Sequence, residues 1–205
     1  MIDLKHIPAF TLRGGEPIPA IGMGTFGSDR VSALEVAQAV AGGVRAGYRL
    51  LDCAACYGNE AQIGESIHAV LNEGVVRREE LFVMTKVWND MHRDVAGALN
   101  KSLHELRLDY VDMLFIHWPF PNYHAPGCSV EARNPNSQPF SITEFLDTYS
   151  QLEALRDAGL IRYIGVSNMT IPKLDAVLPK LKTLPAACEI ELHPYFQQCA
   201  IVDAL

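Results

Sequence analysis

Apolar residues in this chain fall into two kinds of stretch that alternate along its length. Short continuous apolar runs, typical of buried strands, are separated by longer stretches in which apolar residues recur at helical spacing. The runs predict six strands at about residues 17–22, 48–51, 81–86, 111–117, 161–168 and 186–192. Each is followed by a helix or by the start of one, which predicts an α/β fold with a mostly parallel sheet covered by helices. A small hairpin over residues 7–14 is expected ahead of this sheet.

Polar residues at a fixed spacing mark where three of the helices begin. A serine or asparagine followed three residues later by Glu or Gln can satisfy the free N–H groups of a first helical turn. The pairs are Ser32 with Glu35, Asn59 with Gln62, and Ser141 with Glu144. The helix after Asn59 therefore follows the strand at 48–51 across a short loop that contains Asp52 and Tyr57. Such loops are where parallel α/β folds carry their chemistry.

Four reactive side chains lie at or just beyond the ends of consecutive predicted strands. They are Asp52, Tyr57, Lys86 and His117. Each one alone has a structural explanation, as a loop cap, a core aromatic, a solvated strand end or a core histidine. Because parallel strands end at the same edge of a sheet, their joint occurrence predicts a shared proton-transfer site. In it Lys86 is expected to lower the pKa of Tyr57, Asp52 to hold the lysine, and His117 to donate to a substrate oxygen.

Composition excludes several classes of function. The net charge of −7 and a pI of about 5.4 give no electrostatic footprint for nucleic acid. No apolar run approaches the ~18 residues of a membrane span, and the first residues carry no signal-peptide core. Five irregularly spaced cysteines suit a reducing cytoplasm, and no cysteine or histidine has metal-ligand spacing. We expect a single domain over residues 1–205 that is cytoplasmic and has no metal, nucleic-acid or membrane partner.

Two short motifs point to other functions. Residues 22–27 read G-x-G-x-x-G, the pattern of a Rossmann dinucleotide site. The following helix is expected to begin at Ser32, past these glycines, and Pro17 and Pro19 suit a central parallel strand poorly. Residues 53–56 read C-x-x-C, as in a redox pair, but no thioredoxin-like context surrounds them. Small residues packed in a loop are the interpretation we favour for this second motif.

Five blocks of sequence, in order along the chain, carry a resemblance to a known family. They are residues 47–64 (GYRLLDCAACYGNEAQIG), 85–88 (TKVW), 116–119 (IHWP), 165–168 (GVSN) and 191–195 (ELHPY). In these blocks the chain resembles the aldo-keto reductase family over essentially its whole length. The resemblance implies a (β/α)8 TIM-type barrel, with about six of the eight β/α units present in this chain.

The resemblance also implies an activity and a set of roles. The protein is expected to reduce aldehydes or ketones by hydride transfer from NAD(P)H, with Tyr57 as proton donor, tuned by Lys86 and Asp52, and with His117 orienting the carbonyl. The cofactor is expected to be NADPH, with NAD as the alternative.

The resemblance further implies which residues bind cofactor and substrate. The expected cofactor contacts are Gly24, Thr25, Asp52, Ser167, Asn168 and Glu189. The expected substrate-pocket residues are Phe26, Trp88 and Trp118. A polar loop over residues 119–139 is expected to help set specificity. Glu189 stands where family members usually have glutamine.

The length of the chain leaves further alternatives open. Leu205 follows the sixth predicted strand, whereas a complete barrel runs to about 250 residues. We expect the full-length protein to be a monomer with a small-molecule carbonyl substrate. The 205 residues alone are expected to aggregate, bind NADPH weakly and turn over no carbonyl, because open sheet edges and bare apolar faces are unfavourable in water. A non-catalytic nicotinamide-binding barrel acting as a regulatory subunit, or an inactive truncated product, are the alternatives.

Overall fold

The fold consists of a short antiparallel hairpin followed by a curled parallel sheet with helices on its outer face. The structure is a computed structural model that describes residues 8–27, 30–121 and 138–204. Strands β1 (Ala9–Thr11) and β2 (Pro17–Pro19) form the hairpin. The parallel strands are β3 (Met23–Gly24), β4 (Leu50–Asp52), β5 (Phe82–Val87), β6 (Val111–Ile116), β7 (Ile161–Ser167) and β8 (Ala187–Glu189). The helices are α1 (Ala33–Ala46), α2 (Glu60–Asn72), α3 (Val95–Leu106), α4 (Ile142–Asp157), α5 (Ile171–Val177) and α6 (Cys199–Ala204).

The predicted first strand of the main sheet is wrong in position. Residues 17–19 pair with Ala9–Thr11 in the hairpin, and the short strand Met23–Gly24 pairs with β4 in their place. The reason is chemical, because Pro17 and Pro19 have no N–H to donate within a central strand. The hairpin predicted within residues 7–14 consequently closes on residues 17–19 instead. The other five predicted strands are confirmed with small shifts at their ends.

Two of the three predicted helix caps are confirmed. Ser32 and Glu35 form a reciprocal capping box, and the hydroxyl of Ser141 accepts from the backbone N–H of Glu144. Asn59 occupies the cap position of α2 but makes no side-chain capping bond. Its amide Nδ2 instead donates to the backbone oxygen of Thr25, at 2.8 Å. A tertiary hydrogen bond has therefore replaced the predicted local one.

The order of the parallel strands excludes the Rossmann alternative. Each strand from β3 to β8 pairs with its successor in the chain, so among the described strands there is no point at which strand order reverses. A dinucleotide site of the Rossmann type lies at such a reversal. Helix α1 begins at Ala33, well past Gly27, and its N-terminus therefore cannot serve the glycine motif.

Strand side chains alternate between two apolar layers. Leu51, Val83 and Leu114 belong to the large core beneath the helices, whereas their neighbours Leu50 and Phe82 belong to a smaller cluster on the inner face. Residues of the hairpin pack against that inner cluster at the end where the strands begin. Polar side chains lie at the opposite end of the sheet, where the strands finish. In the part of the chain that is described, no helix is long and apolar enough to cross a bilayer.

Candidate active site

Lys86 is the centre of the polar cluster at the carboxyl ends of the strands. It is the second-to-last residue of β5, and its side chain has no solvent exposure. Its ammonium group forms an ion pair with Oδ1 of Asp52 at the end of the adjacent β4, and donates to the backbone oxygen of Cys53 at 3.1 Å. A buried ammonium is stable only when it is paired in this way. The predicted contact between Lys86 and Asp52 is therefore present.

Tyr57 approaches the same ammonium from the loop after β4. It ends a single 3-10 turn, Ala55–Tyr57, and Gly58 follows in the left-handed region with φ of 66°. This turn directs the phenol back towards the sheet, so that its hydroxyl lies 3.3 Å from Nζ of Lys86. The Tyr57 ring also packs against Phe26, with ring centroids 5.1 Å apart. A phenol and a cation are therefore held within hydrogen-bonding distance.

Burial and charge oppose each other at Tyr57. Burial raises the pKa of Tyr57 to about 12, and the Lys86 cation offsets only part of that rise. The predicted effect of Lys86 has the right sign, but the predicted net lowering of the pKa is wrong because desolvation is larger. At Lys86, burial lowers the pKa, yet the carboxylates of Asp52 and Glu189 outweigh it and raise the pKa overall. Lys86 is therefore charged and Tyr57 is protonated at neutral pH.

His117 directly follows β6 and faces Tyr57 with a neutral ring. The two ring centroids are 6.0 Å apart in an edge-to-face arrangement, and the Trp88 ring lies 4.9 Å away on another side. Burial, with a contribution from the Lys86 cation, lowers the pKa of His117 to about 3. Nδ1 lies 3.6 Å from Sγ of Cys56. A neutral imidazole can donate one hydrogen bond to a substrate oxygen, but it is not an acid at neutral pH.

The residues expected to hold nicotinamide form a connected group at the ends of β7 and β8. Ser167 is buried, and Asn168 donates through Nδ2 to the Ser167 hydroxyl at 3.0 Å and to the backbone oxygen of His117 at 2.8 Å. The backbone N–H of Asn168 donates to the backbone oxygen of Glu189 at 3.0 Å. Oε2 of Glu189 is buried and has no hydrogen-bond partner among the described residues. An orphaned acceptor of this kind fits the NH₂ group of a carboxamide.

Thr25 and Gly24 differ in how they could meet a cofactor. Thr25 is completely buried, and its hydroxyl donates to the backbone oxygen of Asp52 at 2.8 Å. Its side chain therefore positions Asp52 in this structure, and its predicted cofactor contact stays a prediction. A side chain at Gly24 would meet no atom within 4 Å, so the backbone there borders open space.

The structure brings two of the three predicted pocket residues to the site. Phe26 contacts the Tyr57 ring, and Trp88 contacts the His117 ring. Trp118 follows His117 in the chain, but its ring packs on Phe120 with centroids 6.0 Å apart. Of the loop predicted over 119–139, residues 122–137 lie outside the described residues.

Sequence reasoning missed one ionic contact of the site. Oε1 of Glu189 lies 3.4 Å from Nζ of Lys86, so the ammonium has a second carboxylate beside Asp52. The sequence placed Glu189 near the cofactor only. The available signal was that Glu189 lies in the sixth predicted strand, three strands after the one that contains Lys86. Parallel strands end at the same edge of a sheet, so carboxylates near their ends can meet the same ammonium.

Neither the cysteine motif nor a metal cluster adds chemistry to this site. Cys53 is fully buried and unbonded to another cysteine, and burial raises the pKa of its thiol, which makes it unreactive. Among the described residues, no group of three or more His, Cys, Asp or Glu side chains could hold a metal ion. His124 and Cys128 lie outside those residues. Asp52, Tyr57, Lys86 and His117 thus form the polar cluster at the carboxyl ends of the strands.

Three comparisons with known proteins show which family the chain belongs to. A model described as the aldo/keto reductase family matches residues 20–204. The chain is 43% identical over 197 residues to the aldo/keto reductase slr0942 of Synechocystis sp., covering 95% of this chain and 59% of that protein. It is 37% identical over 213 residues to the NAD(P)H-dependent D-xylose reductase I,II of Candida tropicalis, covering 99% of this chain and 64% of the relative.

A solved structure extends the agreement to three dimensions. The crystal structure of a Bombyx mori aldo-keto reductase in complex with NADP matches with a TM-score of 0.83 at 36% identity, over 96% of this chain and 62% of that one. The predicted fold class, a (β/α)8-type barrel with six strand units present, is confirmed. The chain spans about three fifths of the length of these relatives. On the family match over residues 20–204, the chain belongs to the aldo/keto reductase family.

Proposed function

We propose that the full-length protein reduces aldehydes and ketones to alcohols with NADPH, and that Tyr57 is the proton donor. The observation that carries this proposal is the buried Lys86 ammonium, which contacts Asp52 and lies 3.3 Å from the Tyr57 hydroxyl. A cation at that distance stabilises the phenolate that remains after proton donation. The family match and the NADP complex of the silkworm relative support the choice of cofactor.

NADPH, when bound, supplies a hydride to the carbonyl carbon. The proton for the carbonyl oxygen must come from the protein. Lys86 carries protons, but its side chain has no solvent exposure, so Tyr57 and His117 are the two candidates. With a pKa of about 3, His117 has no second proton to give at neutral pH, whereas Tyr57, with a pKa of about 12, keeps its proton. Tyr57 is therefore the acid, and His117 orients the oxygen by a hydrogen bond from its neutral ring.

The surroundings of the site favour small or medium-sized carbonyl compounds with an apolar portion. Phe26 is half exposed beside Tyr57, and Trp88 is half-buried beside His117, so aromatic surfaces flank the two reactive groups. Aromatic rings of this kind bind apolar groups and exclude water from the reacting oxygen. One relative is an NAD(P)H-dependent D-xylose reductase, so NADH is retained as an alternative cofactor.

Nicotinamide recognition is assigned to Ser167, Asn168 and Glu189. Asn168 has a φ of 57° and is held by three hydrogen bonds to neighbouring strand ends. Asparagine tolerates this backbone conformation. The unpartnered Oε2 of Glu189 supplies an acceptor for the carboxamide NH₂. The backbone of Gly24, at the end of β3, borders open space.

The proposal includes the cellular location and the oligomeric state of the protein. The described cysteines are all free, which suits a reducing cytoplasm. We place the full-length protein there as a monomer, and size-exclusion chromatography with light scattering tests the oligomeric state.

The test of the function is aldehyde-dependent oxidation of NADPH by the purified full-length protein. Turnover that requires both NADPH and aldehyde supports the proposal. NADPH binding without turnover of any aldehyde or ketone would favour the non-catalytic regulatory barrel, and absence of both would favour an inactive product.

A further inference from the structure

Glu189 gives the polar cluster an excess of negative charge. Lys86 is the one cation in contact with the two carboxylates of Asp52 and Glu189 among the described residues. Tyr57 and His117 are neutral at physiological pH. The cluster as a whole therefore carries one net negative charge when both carboxylates are ionised.

The two oxygens of Glu189 have different surroundings. Oε1 lies 3.4 Å from Nζ of Lys86, whereas Oε2 is buried without a hydrogen-bond partner in the described part of the chain. The ammonium already has contacts with Asp52 and the backbone oxygen of Cys53, so it neutralises Glu189 only in part. The Glu189 side chain is 31% exposed. Glu189 lies in register with Ser167 on the adjacent strand, and its backbone oxygen accepts from the N–H of Asn168.

The two redox forms of the cofactor differ in charge where they meet this carboxylate. The oxidised nicotinamide ring carries a positive charge, and the reduced ring is neutral. Phosphates and adenosine are the same in both forms, so a carboxylate beside the ring acts on the difference between them. A hydrogen bond from the carboxamide NH₂ to Oε2 is available to both forms and does not discriminate.

We propose that Glu189 selects the oxidation state of the cofactor, its carboxylate favouring the oxidised, positively charged nicotinamide over the reduced, neutral one. This inference rests on the proposed function, since it requires nicotinamide to bind beside Ser167 and Asn168. It gives Glu189 a role in the reaction as well as in binding. With nicotinamide bound, the Glu189 carboxylate would shift the equilibrium between the two bound cofactor forms towards the oxidised one, while the overall equilibrium of the reaction would stay unchanged.

The experiment measures the affinities of the full-length protein for NADP⁺ and for NADPH by calorimetry. It uses a mildly alkaline buffer, because burial raises the pKa of Glu189 and the carboxylate must be ionised. In E189Q the ratio of NADP⁺ affinity to NADPH affinity is expected to fall about tenfold, the scale of one partly screened charge pair. Because glutamine can donate as well as accept a hydrogen bond, the affinity of E189Q for NADPH is expected to equal or exceed that of the wild type.

Two further variants separate charge from hydrogen bonding and from folding. E189A removes the charge without adding an amide, and the same fall in the affinity ratio is expected. E191Q is the matched control, because the Glu191 side chain is 71% exposed and pairs with His193 instead of Lys86; its ratio is expected to equal that of the wild type. An unchanged ratio in both E189Q and E189A, with both cofactor forms bound, overturns this inference alone. A wild-type protein that binds neither form overturns the proposed function and this inference together.

Discussion

Two buried ion clusters lie at opposite ends of the same parallel sheet. At the ends of the strands, Lys86 is surrounded by Asp52, Glu189 and Tyr57. At the beginnings of the strands, Asp112 is 3% exposed and pairs with Arg78 at 2.8 Å and Arg162 at 3.3 Å. Each cluster places one buried charge among several partners of opposite sign.

The clusters differ in what is left unpaired. Both oxygens of Asp112 are occupied, since Oδ2 also accepts from the backbone N–H of Val83 at 2.8 Å, and the guanidinium groups of Arg78 and Arg162 cover the Tyr110 ring. Among the described residues, the atom left unpaired in this cluster is a donor, the buried Nε of Arg78. In the Lys86 cluster the unpaired atom among the described residues is an acceptor, Oε2 of Glu189, and the Tyr57 phenol is half-buried. Paired buried charges stabilise a fold, whereas an unpaired hydrogen-bond acceptor at the ends of the strands can receive a hydrogen bond from a ligand. We therefore expect mutations at the two ends to affect different properties.

The largest expected effect follows from Tyr57→Phe. The change removes the proton donor and leaves the ring, so carbonyl reduction should fall by at least about 100-fold, the usual contribution of a general acid. NADPH affinity should stay close to that of the wild type. Steady-state kinetics with a simple aldehyde measures the first and calorimetry the second.

Tyr110→Phe is the matched control for this change, at the other end of the sheet. It removes a hydroxyl that accepts from Nη2 of Arg162 at 3.0 Å, and turnover should be unaffected. A Tyr57→Phe protein that retains more than about a tenth of the wild-type kcat, a loss under ~1.4 kcal/mol, would mean that another group is the acid.

Asp112→Asn changes the other cluster, and it should lower stability without changing activity. Two arginines would keep their positions around a neutral amide, and removing one partner of a buried ion pair costs about 3–5 kcal/mol. Chemical denaturation should therefore show a lower free energy of unfolding, while kcat per folded molecule stays at the wild-type value. Equal stability of the two proteins would show that the cluster is not structural.

The pH dependence of the reaction should differ between its two directions. Carbonyl reduction requires the protonated phenol, which is fully present below a pKa of about 12. Reduction should therefore show no loss from Tyr57 ionisation across neutral and mildly alkaline pH. Alcohol oxidation requires the phenolate and should rise with pH over the same interval. Rate profiles in both directions test this, and a fall in reduction near neutral pH would contradict it.

The smallest effect is expected from Cys56→Ser. Its Sγ lies 3.6 Å from Nδ1 of His117, and a thiol is a weak hydrogen-bonding group. The neutral ring should keep its orientation through the contact with Trp88, so kcat should change by less than about threefold, within the range of one weak hydrogen bond. A much larger loss of kcat would make Cys56 a positioning residue for His117.

Sequence reasoning succeeded where local pattern and topology act together. Apolar runs located five of the six parallel strands, and the rule that parallel strands end at one edge brought Asp52, Lys86 and His117 together. It failed where a tertiary contact replaced a local one, as when Asn59 bonded to Thr25 instead of capping α2. It also failed on the net pKa of Tyr57, because the sequence placed Lys86 near the phenol but could not give the degree of burial, which has the larger effect.

The measurement that tests the central claim most directly is the pH–rate profile of alcohol oxidation in the wild type and in Lys86→Met. If the Lys86 cation stabilises the Tyr57 phenolate, its removal raises the pKa of Tyr57, and the rising part of the profile should move to higher pH by about one to three units. Turnover at any fixed pH on that rise should fall accordingly. A profile that keeps its position in Lys86→Met would show that Lys86 does not tune the acid, and would contradict the account.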